Sequence, residues 1–123
     1  MDRKMAKKAI TELKQIVELI EQAAEAKQAV DIRALDVRKS SNIVDYLVIA
    51  SGESEPQLKA IEKEIDNRLR EHKIKGFRWQ GLSNSGWLVL DLGSIVVHLM
   101  GTKEREFYNL EDLWGKEAIV YHY

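Results

Sequence analysis

Apolar residues recur along this chain with two different periods, one typical of helices and one of strands. A spacing of three and four residues occurs twice and predicts two long amphipathic helices, one over residues 1–28 and one from Ser54 to about Gly76. Their apolar positions are Ile10, Leu13, Val17, Ile20 and Ala24 in the first, and Leu58, Ile61, Ile65 and Leu69 in the second. Ser54 can cap the second helix, and Pro56 is tolerated in its first turn.

Shorter apolar runs predict the strands. Residues 30–37 and 43–50 lie on either side of a Ser-Ser-Asn break. The second run is so uniformly apolar that it should be a central strand, buried on both faces. Residues 77–80 form a third candidate, followed by a polar loop over residues 81–86. A hairpin around Gly93-Ser94 supplies the last two strands.

The hairpin has two faces of different character. If Gly93-Ser94 is a two-residue turn, Leu92 lies opposite Ile95, and side chains alternate outward from that pair. One face is then wholly aliphatic and is predicted to be core: Leu88, Leu90, Leu92, Ile95, Val97 and Leu99. The other face mixes polar and apolar side chains that suit contact with a partner: Trp87, Val89, Asp91, Val96, His98 and Met100.

The predicted order of elements is α-β-β-α-β-β-β, followed by short helices over residues 102–115 and a tail over residues 116–123. We expect a single α/β (α+β) domain with a mixed sheet of about five strands, the sheet and second helix lying within residues 30–101. Two long helices cover about one face of such a sheet, because layers pack one on another. The opposite face should therefore stay hydrated or bind a partner.

Composition narrows the function without defining it. At 123 residues the chain can form one core without metal or disulfide staples, and it has no cysteine. A net charge of −1 argues against a general nucleic-acid-binding protein. The basic residues Arg3, Lys4, Lys7 and Lys8 suit the solvated start of a helix. With neither a secretory signal nor an apolar run of membrane-spanning length, the expected location is the cytoplasm.

Asp91 and His98 are the pair most like catalytic chemistry, because they come out diagonal to each other across the hairpin. No serine is placed beside them as a nucleophile, so a structural or interface pair is the favoured interpretation. The histidines lack metal-ligand spacing, and His72 and His122 are expected to be exposed to solvent. We therefore predict no catalytic residues, no metal and no cofactor.

Residues 52–54, Gly-Glu-Ser, resemble a phosphate-binding turn, since a helix start can hold an anion with its backbone N–H groups. Metal-dependent nucleotidyl transfer would also need clustered carboxylates to hold magnesium. The following strand, residues 77–80, has none, and Asp91 stands alone on the next. Ser54 is therefore interpreted as a helix cap.

Aromatic residues are concentrated in the last 45 residues of the chain: Trp79, Trp87, Phe107, Tyr108 and Trp114. Taken singly, each is expected in the core, Phe107 included. As a group beside Arg105 they have the composition of an interface, which is enriched in Trp, Tyr, Met and Arg. Leu110, Leu113 and Trp114 would form the apolar side of a terminal turn that either seals the core or docks on a partner.

Several blocks of this sequence together resemble the Iojap-like family of ribosomal silencing factors. They are VDIRALDV, DYLVIASGES, the hairpin and REFYNLEDLW, and the match runs from about Asp31 to Trp114. One departure is visible, because the family usually has Glu-Gly after the third strand where this chain has Gln80-Gly81. That departure puts in doubt any role that rests on a charge at Gln80.

The resemblance implies a fold like that of the nucleotidyltransferases, without their active site, and a role in translation. Members of the family bind the large-subunit ribosomal protein numbered fourteen, at the surface where the small subunit would join. By steric exclusion they block subunit joining and repress translation when nutrients are short or in stationary phase. They commonly form homodimers, and the tail AIVYHY alternates enough to pair as an edge strand, a known route to association.

Partner-binding residues are expected on the mixed face of the hairpin and in the aromatic region around it. The candidates are Trp79, Gly81, Trp87, Asp91, His98, Met100, Arg105, Tyr108, Leu110 and Trp114. Two rival interpretations are left open. A degenerate nucleotidyltransferase-like enzyme would bind nucleotide and magnesium near Ser54. An RNA-binding module would stack bases on the aromatic face, although the sequence shows no basic groove for it.

Overall fold

The computed structural model describes residues 12–112 and the backbone of residues 119–122. The elements within them are, in order, α1 (Leu13–Ala26), β1 (Val30–Asp36), β2 (Tyr46–Gly52), α2 (Glu55–Glu71), β3 (Arg78–Leu82), β4 (Trp87–Asp91), β5 (Ile95–Gly101), α3 (Thr102–Tyr108) and β6 (Ile119–His122). A 3-10 turn, Ser83–Ser85, joins β3 to β4. Residues 1–11 of the predicted first helix, and Leu113 and Trp114 of the predicted terminal turn, lie outside the described residues.

Ser54 begins α2 as the sequence predicts. Its hydroxyl accepts a hydrogen bond from the backbone N–H of Gln57 at 3.2 Å, and the side-chain oxygen of Gln57 accepts one from the N–H of Glu53 at 2.7 Å. These bonds satisfy one of the donors that a helix start leaves free, that of Gln57, and the N–H of the residue just before the cap. The Gln57 amide also donates to the carbonyl oxygen of Gln28 at 2.8 Å, just beyond the end of α1. The cap therefore ties the start of α2 to the end of α1.

The strands form one mixed sheet in the order β3-β4-β5-β2-β1-β6. β2 and β5 pair in parallel at its centre, and the other neighbouring strands are antiparallel. β2 is buried along its whole length, which confirms the prediction of a central strand. The tail adds β6 at the edge beside β1, so it pairs as an edge strand within its own chain.

Both long helices pack on one face of this sheet, as predicted. The core between the layers combines the apolar stripe of each helix with alternate side chains of the strands. Its fully buried members include Ile20, Ile61, Ile65, Leu69, Val48, Leu88, Leu90, Val97 and Leu99. Burying one such side chain contributes about 1.5–3 kcal/mol. The α/β fold class is confirmed, while the likeness to nucleotidyltransferases stays a prediction.

β2 begins later than the apolar run predicts. The hydroxyl of Ser41 accepts hydrogen bonds from the backbone N–H groups of Ile43 and Val44, at 3.1 and 3.0 Å, and so forms a turn before the strand. Ile43, expected in a buried strand, is 83% exposed. The prediction was wrong here because a local turn competes with the strand for the same backbone N–H groups.

The face of the sheet away from the helices is divided into two regions. Over β1 and β2 it carries a second apolar cluster, and we call this region the covered half. Its core residues are Leu35, Val37, Leu47 and Ile49, with Val44, Val96 and Leu110 packed against them. Over β3 and β4 the same face stays partly or fully exposed, and we call this region the open half. It comprises Arg78, Gln80, Leu82, Trp87, Val89 and Asp91.

The prediction of an open face is therefore confirmed over β3 and β4 and is wrong over β1 and β2. A second core fills the space above β1 and β2, where Val37 and Ile49 have no exposed surface. β5 runs along the boundary between the two halves, because it pairs with β4 on one side and with β2 on the other.

Candidate partner-binding surface

The hairpin of β4 and β5 has the predicted register. Leu88 pairs with Leu99 and Trp87 with Met100, so the aliphatic face lies against the helices and the mixed face lies on the other side. Gly93 occupies the turn with a left-handed φ of 86°, which glycine adopts without strain. The prediction of which residues share each face is confirmed.

The predicted contact between Asp91 and His98 is wrong. The Asp91 carboxylate accepts a hydrogen bond from the backbone N–H of Gly93 at 2.8 Å and so caps the hairpin turn. His98 turns the other way, where its Nδ1 lies 3.0 Å from Nε1 of Trp87. The indole N–H is a donor, so the imidazole accepts this bond. Burial lowers the pKa of His98 to about 4, which keeps the ring neutral and able to accept.

Four rings come together beside the open half, and we call them the aromatic cluster: Trp87, His98, Phe107 and Tyr108. Trp87 lies 4.7 Å from Tyr108 and 5.9 Å from His98 between ring centroids, and Phe107 meets Tyr108 edge to face at 4.9 Å. Phe107 is 79% exposed and Tyr108 is 49% exposed. The expectation that Phe107 belongs to the core is wrong, because α3 turns its Arg105 side inward instead.

Two expected contact residues lie on the helix face instead. Trp79 packs against the main core, and its indole N–H donates to the carboxylate of Asp66 on α2 at 3.0 Å. Gly81 pairs with Leu88 and lies on that face as well. It has a left-handed φ of 89°, and a Cβ at this position would lie only 2.4 Å from the carbonyl oxygen of Trp87. Trp79 and Gly81 are the neighbours of Gln80 along the strand, and side chains alternate between the two faces. Both therefore lie on the face opposite the open half.

Two more expected contact residues are buried. Met100 has no exposed surface, although it lies on the predicted face. Arg105 is inside as well, and its guanidinium donates to Ser51 Oγ at 3.1 Å, to the carboxylate of Glu111 at 3.0 Å and to the carbonyl oxygen of Asp31. Arg105 thus ties α3 to β1 and β2, so the prediction that it faces a partner is corrected to a structural role.

The remaining expected residues divide in the same way. Leu110 packs on the cluster of the covered half and so seals a core rather than an exposed surface. Trp114 lies outside the described residues. His72, expected to be exposed, is half-buried with its Nδ1 3.0 Å from the carbonyl oxygen of Arg68. Of the expected contact residues, Trp87, Asp91, His98 and Tyr108 remain on or beside the open half.

Sequence reasoning missed Phe107 and Leu82. Leu82 pairs with Trp87, faces the open half and is 66% exposed. The alternation of residues 78–82 contained this signal, but the strand was expected to end at Gln80. Gln80, where the family usually has glutamate, is exposed and pairs with Val89 in the middle of the open half.

The turn at Ser54 is occupied by its own cap, because the hydroxyl already accepts the Gln57 N–H. In the part of the chain that the structure describes, no cluster of three or more histidine and carboxylate side chains could hold a metal ion. Among those same residues, no helix is both long and apolar enough to cross a membrane.

Fold and surface together define a small α/β domain whose exposed half-sheet is bordered by aromatic rings. A family model described as "Ribosomal silencing factor during starvation" matches residues 10–121 of this chain. The chain therefore belongs to this family of ribosomal silencing factors, which confirms the resemblance seen in the sequence. Family membership implies association with the ribosome.

Relatives from several lineages agree with that assignment. The chain is 39% identical over 107 residues to the ribosomal silencing factor RsfS of Bacillus subtilis, covering 87% of this chain and 91% of that one. It is 34% identical over 87 residues to the mouse protein named mitochondrial assembly of ribosomal large subunit protein 1, covering 68% of this chain and 38% of that one. A crystal structure of a Chromobacterium violaceum protein, 30% identical, superposes with a TM-score of 0.81 over 85% of this chain and 88% of that chain.

Proposed function

We propose that this protein binds the large ribosomal subunit through its ribosomal protein numbered fourteen, and that it sterically blocks joining of the small subunit. The observation that carries the proposal is the aromatic cluster with its exposed Phe107 and Tyr108, which borders a half-sheet that is otherwise of mixed polarity. Such a surface suits a protein partner, because aromatic side chains dominate the affinity of protein interfaces.

The cluster is held in place before any partner arrives. The Trp87 indole is held by its hydrogen bond to His98 and by a tilted ring contact with Tyr108, so little of its side-chain freedom is lost on binding. Leu82 extends the apolar area along the sheet, and Gln80 and Asp91 supply polar groups beside it. Such a combination of aromatic, aliphatic and polar side chains is typical of protein interfaces.

Silencing by steric exclusion requires affinity and bulk and no reacting group. That requirement agrees with the open half, where Asp91 caps a turn and His98 is a neutral acceptor. The mouse relative is named for assembly of the ribosomal large subunit, which supports the large subunit as the partner. We further propose that the protein acts in the cytoplasm, during nutrient limitation or stationary phase, and without catalysis.

Co-sedimentation with purified ribosomal subunits tests the proposal. We expect the protein to travel with isolated large subunits and to lower the yield of joined ribosomes when small subunits are added. Pull-down with purified ribosomal protein fourteen should reproduce the contact without the rest of the subunit. Sedimentation with small subunits alone, or unchanged subunit joining at saturating protein, contradicts it.

We propose in addition that the free protein forms a homodimer through the aromatic cluster and open half. A second copy would cover the apolar surface of Leu82 and Phe107, and the dimer would then compete with the ribosome. Light scattering across the micromolar range should give a mass near twice 14.2 kDa that falls on dilution. A constant monomer mass excludes the dimer and leaves the ribosome proposal standing.

A further inference from the structure

A second concentration of positive charge lies between α2 and β3. Residues 68–78 hold five of the chain's 19 basic side chains and only one of its 20 acidic ones. Lys73, Lys75 and Arg78, which we call the basic turn, follow the end of α2 and are exposed to solvent. In a chain of net charge −1 this is a strong local imbalance.

Two of the five basic residues are already neutralised. Arg68 pairs with Glu64 at 2.7 Å and Arg70 with Asp66 at 2.8 Å, each one turn earlier on α2. Both lie in the last turn of α2, where a cation also offsets the negative end of the helix dipole. The three side chains of the basic turn form no ion pair with any described residue.

The basic turn borders a shallow depression with a fixed floor. The depression has a volume of about 300 Å³ and is lined by Arg70, Lys73, Ile74, Lys75, Gly76 and Phe77. The N–H of Ile74 donates to the carbonyl oxygen of Leu69 at 2.9 Å, and the Arg70 guanidinium lies 5.1 Å above the Phe77 ring. A rigid base with flexible lysine side chains around it suits an extended anion better than an apolar ligand.

Arg78 connects the basic turn with the open half. It pairs with Asp91 in the β3–β4 ladder, so both side chains lie on the same face of the sheet as Trp87. β3 is the edge strand of the sheet, so the turn with Lys73 and Lys75 that precedes it lies along the edge of the open half and not on its face. A phosphate backbone is the kind of anionic surface that such a group of lysine and arginine side chains binds.

We propose that the basic turn binds the phosphate backbone of ribosomal RNA beside the protein contact on the large subunit. This inference rests on the proposed function and adds a second class of partner to it. Lysine and arginine side chains neutralise phosphates without reading sequence, and each such contact makes binding weaker as salt rises. The basic turn thus adds affinity and orientation, while the aromatic cluster selects the ribosomal protein.

The test compares two triple variants that lose the same charge. One is Lys73→Gln, Lys75→Gln, Arg78→Gln, and the control is Lys27→Gln, Lys59→Gln, Lys63→Gln, whose lysines are exposed on the helix layer. Denaturation midpoints establish that both fold. Affinity is then measured for intact large subunits, for isolated ribosomal protein fourteen and for protein-free large-subunit RNA, over a range of salt.

We expect the basic-turn variant to bind large subunits about tenfold or more weakly near 0.1 M salt, with a salt dependence shallower by roughly two units. The control variant should bind large subunits as wild type does. The basic-turn variant should keep its affinity for isolated ribosomal protein fourteen. The weak binding of wild type to free RNA at low salt should also be lost.

Equal losses in both triple variants would show only a general charge effect and overturn the proposal. A loss of affinity for isolated ribosomal protein fourteen would assign the basic turn to a protein contact and overturn it as well. If wild type binds no large subunits, the proposed function fails, and the free-RNA comparison still decides the role of the basic turn.

Discussion

The covered and open halves of the sheet are each built on a pair of antiparallel strands, but a second core seals one and the other stays exposed. In the covered half, Leu35 and Ile49 are sealed beneath Leu110, and Arg105 closes the adjacent end with bonds to two strands and Glu111. In the open half, Trp87 and Val89 keep part of their surface in solvent. One face of the sheet therefore contributes to the core over one pair of strands and stays accessible to the partner that we propose over the next.

β5 shows how abrupt this change is. Val96 and His98 are both partly buried, but Val96 packs with the covered cluster, whereas His98, two residues on, bonds to Trp87 on the open side. Met100 is again fully buried. Burial on this strand follows what lies above each residue and not alternation alone, so substitutions in the two halves should have separable effects.

The largest effect is expected from Arg105→Ala in the covered half. The substitution removes the donor to Ser51 Oγ and to the carbonyl oxygen of Asp31, and it takes one of two cations away from Glu111, which keeps Arg33 at 3.2 Å. Hydrogen bonds to a charged group contribute about 1.5–3 kcal/mol each, so we expect a loss of about 3–5 kcal/mol. Chemical denaturation measures the loss of unfolding free energy. Arg78→Ala in the open half is the control, and its unfolding free energy should stay within about 0.5 kcal/mol of wild type. Equal costs at both positions contradict the division into halves.

Two tryptophans on opposite faces sharpen the comparison. Trp87→Ala removes the centre of the aromatic cluster, and we expect ribosome affinity to fall about thirty-fold, or about 2 kcal/mol. Trp79→Ala removes a side chain packed on the helix layer and bonded to Asp66. It should lower the free energy of unfolding while leaving the affinity of the folded protein intact. Subunit binding and denaturation are measured for each variant. If only Trp79→Ala loses affinity for the subunit, the binding surface lies on the helix side and our assignment of the two faces is wrong.

The same substitution in each half isolates burial from chemistry. Val37→Ala creates a cavity in the covered half, where the side chain has no exposed surface, and we expect a loss of about 1–3 kcal/mol. Val89→Ala trims a partly exposed side chain, so the loss should stay below about 1 kcal/mol. Similar denaturation midpoints for the two variants would mean that the open half is covered as tightly as the other.

The smallest effect concerns the pH dependence of stability at His98. Burial lowers its folded pKa from 6.5 to about 4, so the unfolded chain binds more protons in that window and stability falls as pH falls through it. We expect a loss of roughly 1–2 kcal/mol for this partly exposed ring. His98→Gln keeps an acceptor for Trp87 and should abolish this loss, as measured by denaturation between about pH 4 and 7.

Glu21 also contributes to the pH dependence of stability, and its contribution has to be eliminated. Its burial, with Glu18 nearby, raises the pKa of Glu21 to about 7, so it lowers stability as pH rises through nearly the same window. The His98 comparison is therefore made in a Glu21→Gln background. A pH profile that His98→Gln leaves unchanged there contradicts a buried neutral imidazole.

The amino-acid sequence predicted what depends on period and on short-range turn chemistry. The hairpin register followed from Gly93-Ser94, and the Ser54 cap followed from the residues around it. The central position of β2 followed from its uniform apolarity. Each of these features is set by neighbours in sequence, which a pattern can represent.

The composition of the surface depended on contacts between distant residues. Nothing local to Arg105 indicates that Asp31 and Ser51 will surround its guanidinium. Phe107 is as apolar as a core residue and is exposed only because α3 places Arg105 inward. The covered half was missed for the same reason, since counting two helices against five strands overlooks what a short terminal segment with Leu110 can cover.

The parallel pairing of β2 with β5 has a consequence for how the chain folds. The hairpin and α2 can form from neighbouring residues, but Tyr46 pairs with Ile95 across an intervening helix, two strands and the turns between them. Closing so long a loop is entropically costly before any contact repays it, which slows folding. We expect Val97, at the centre of that pairing, to change the folding rate when truncated, whereas Phe107 and Leu82 should leave folding and unfolding rates almost unchanged.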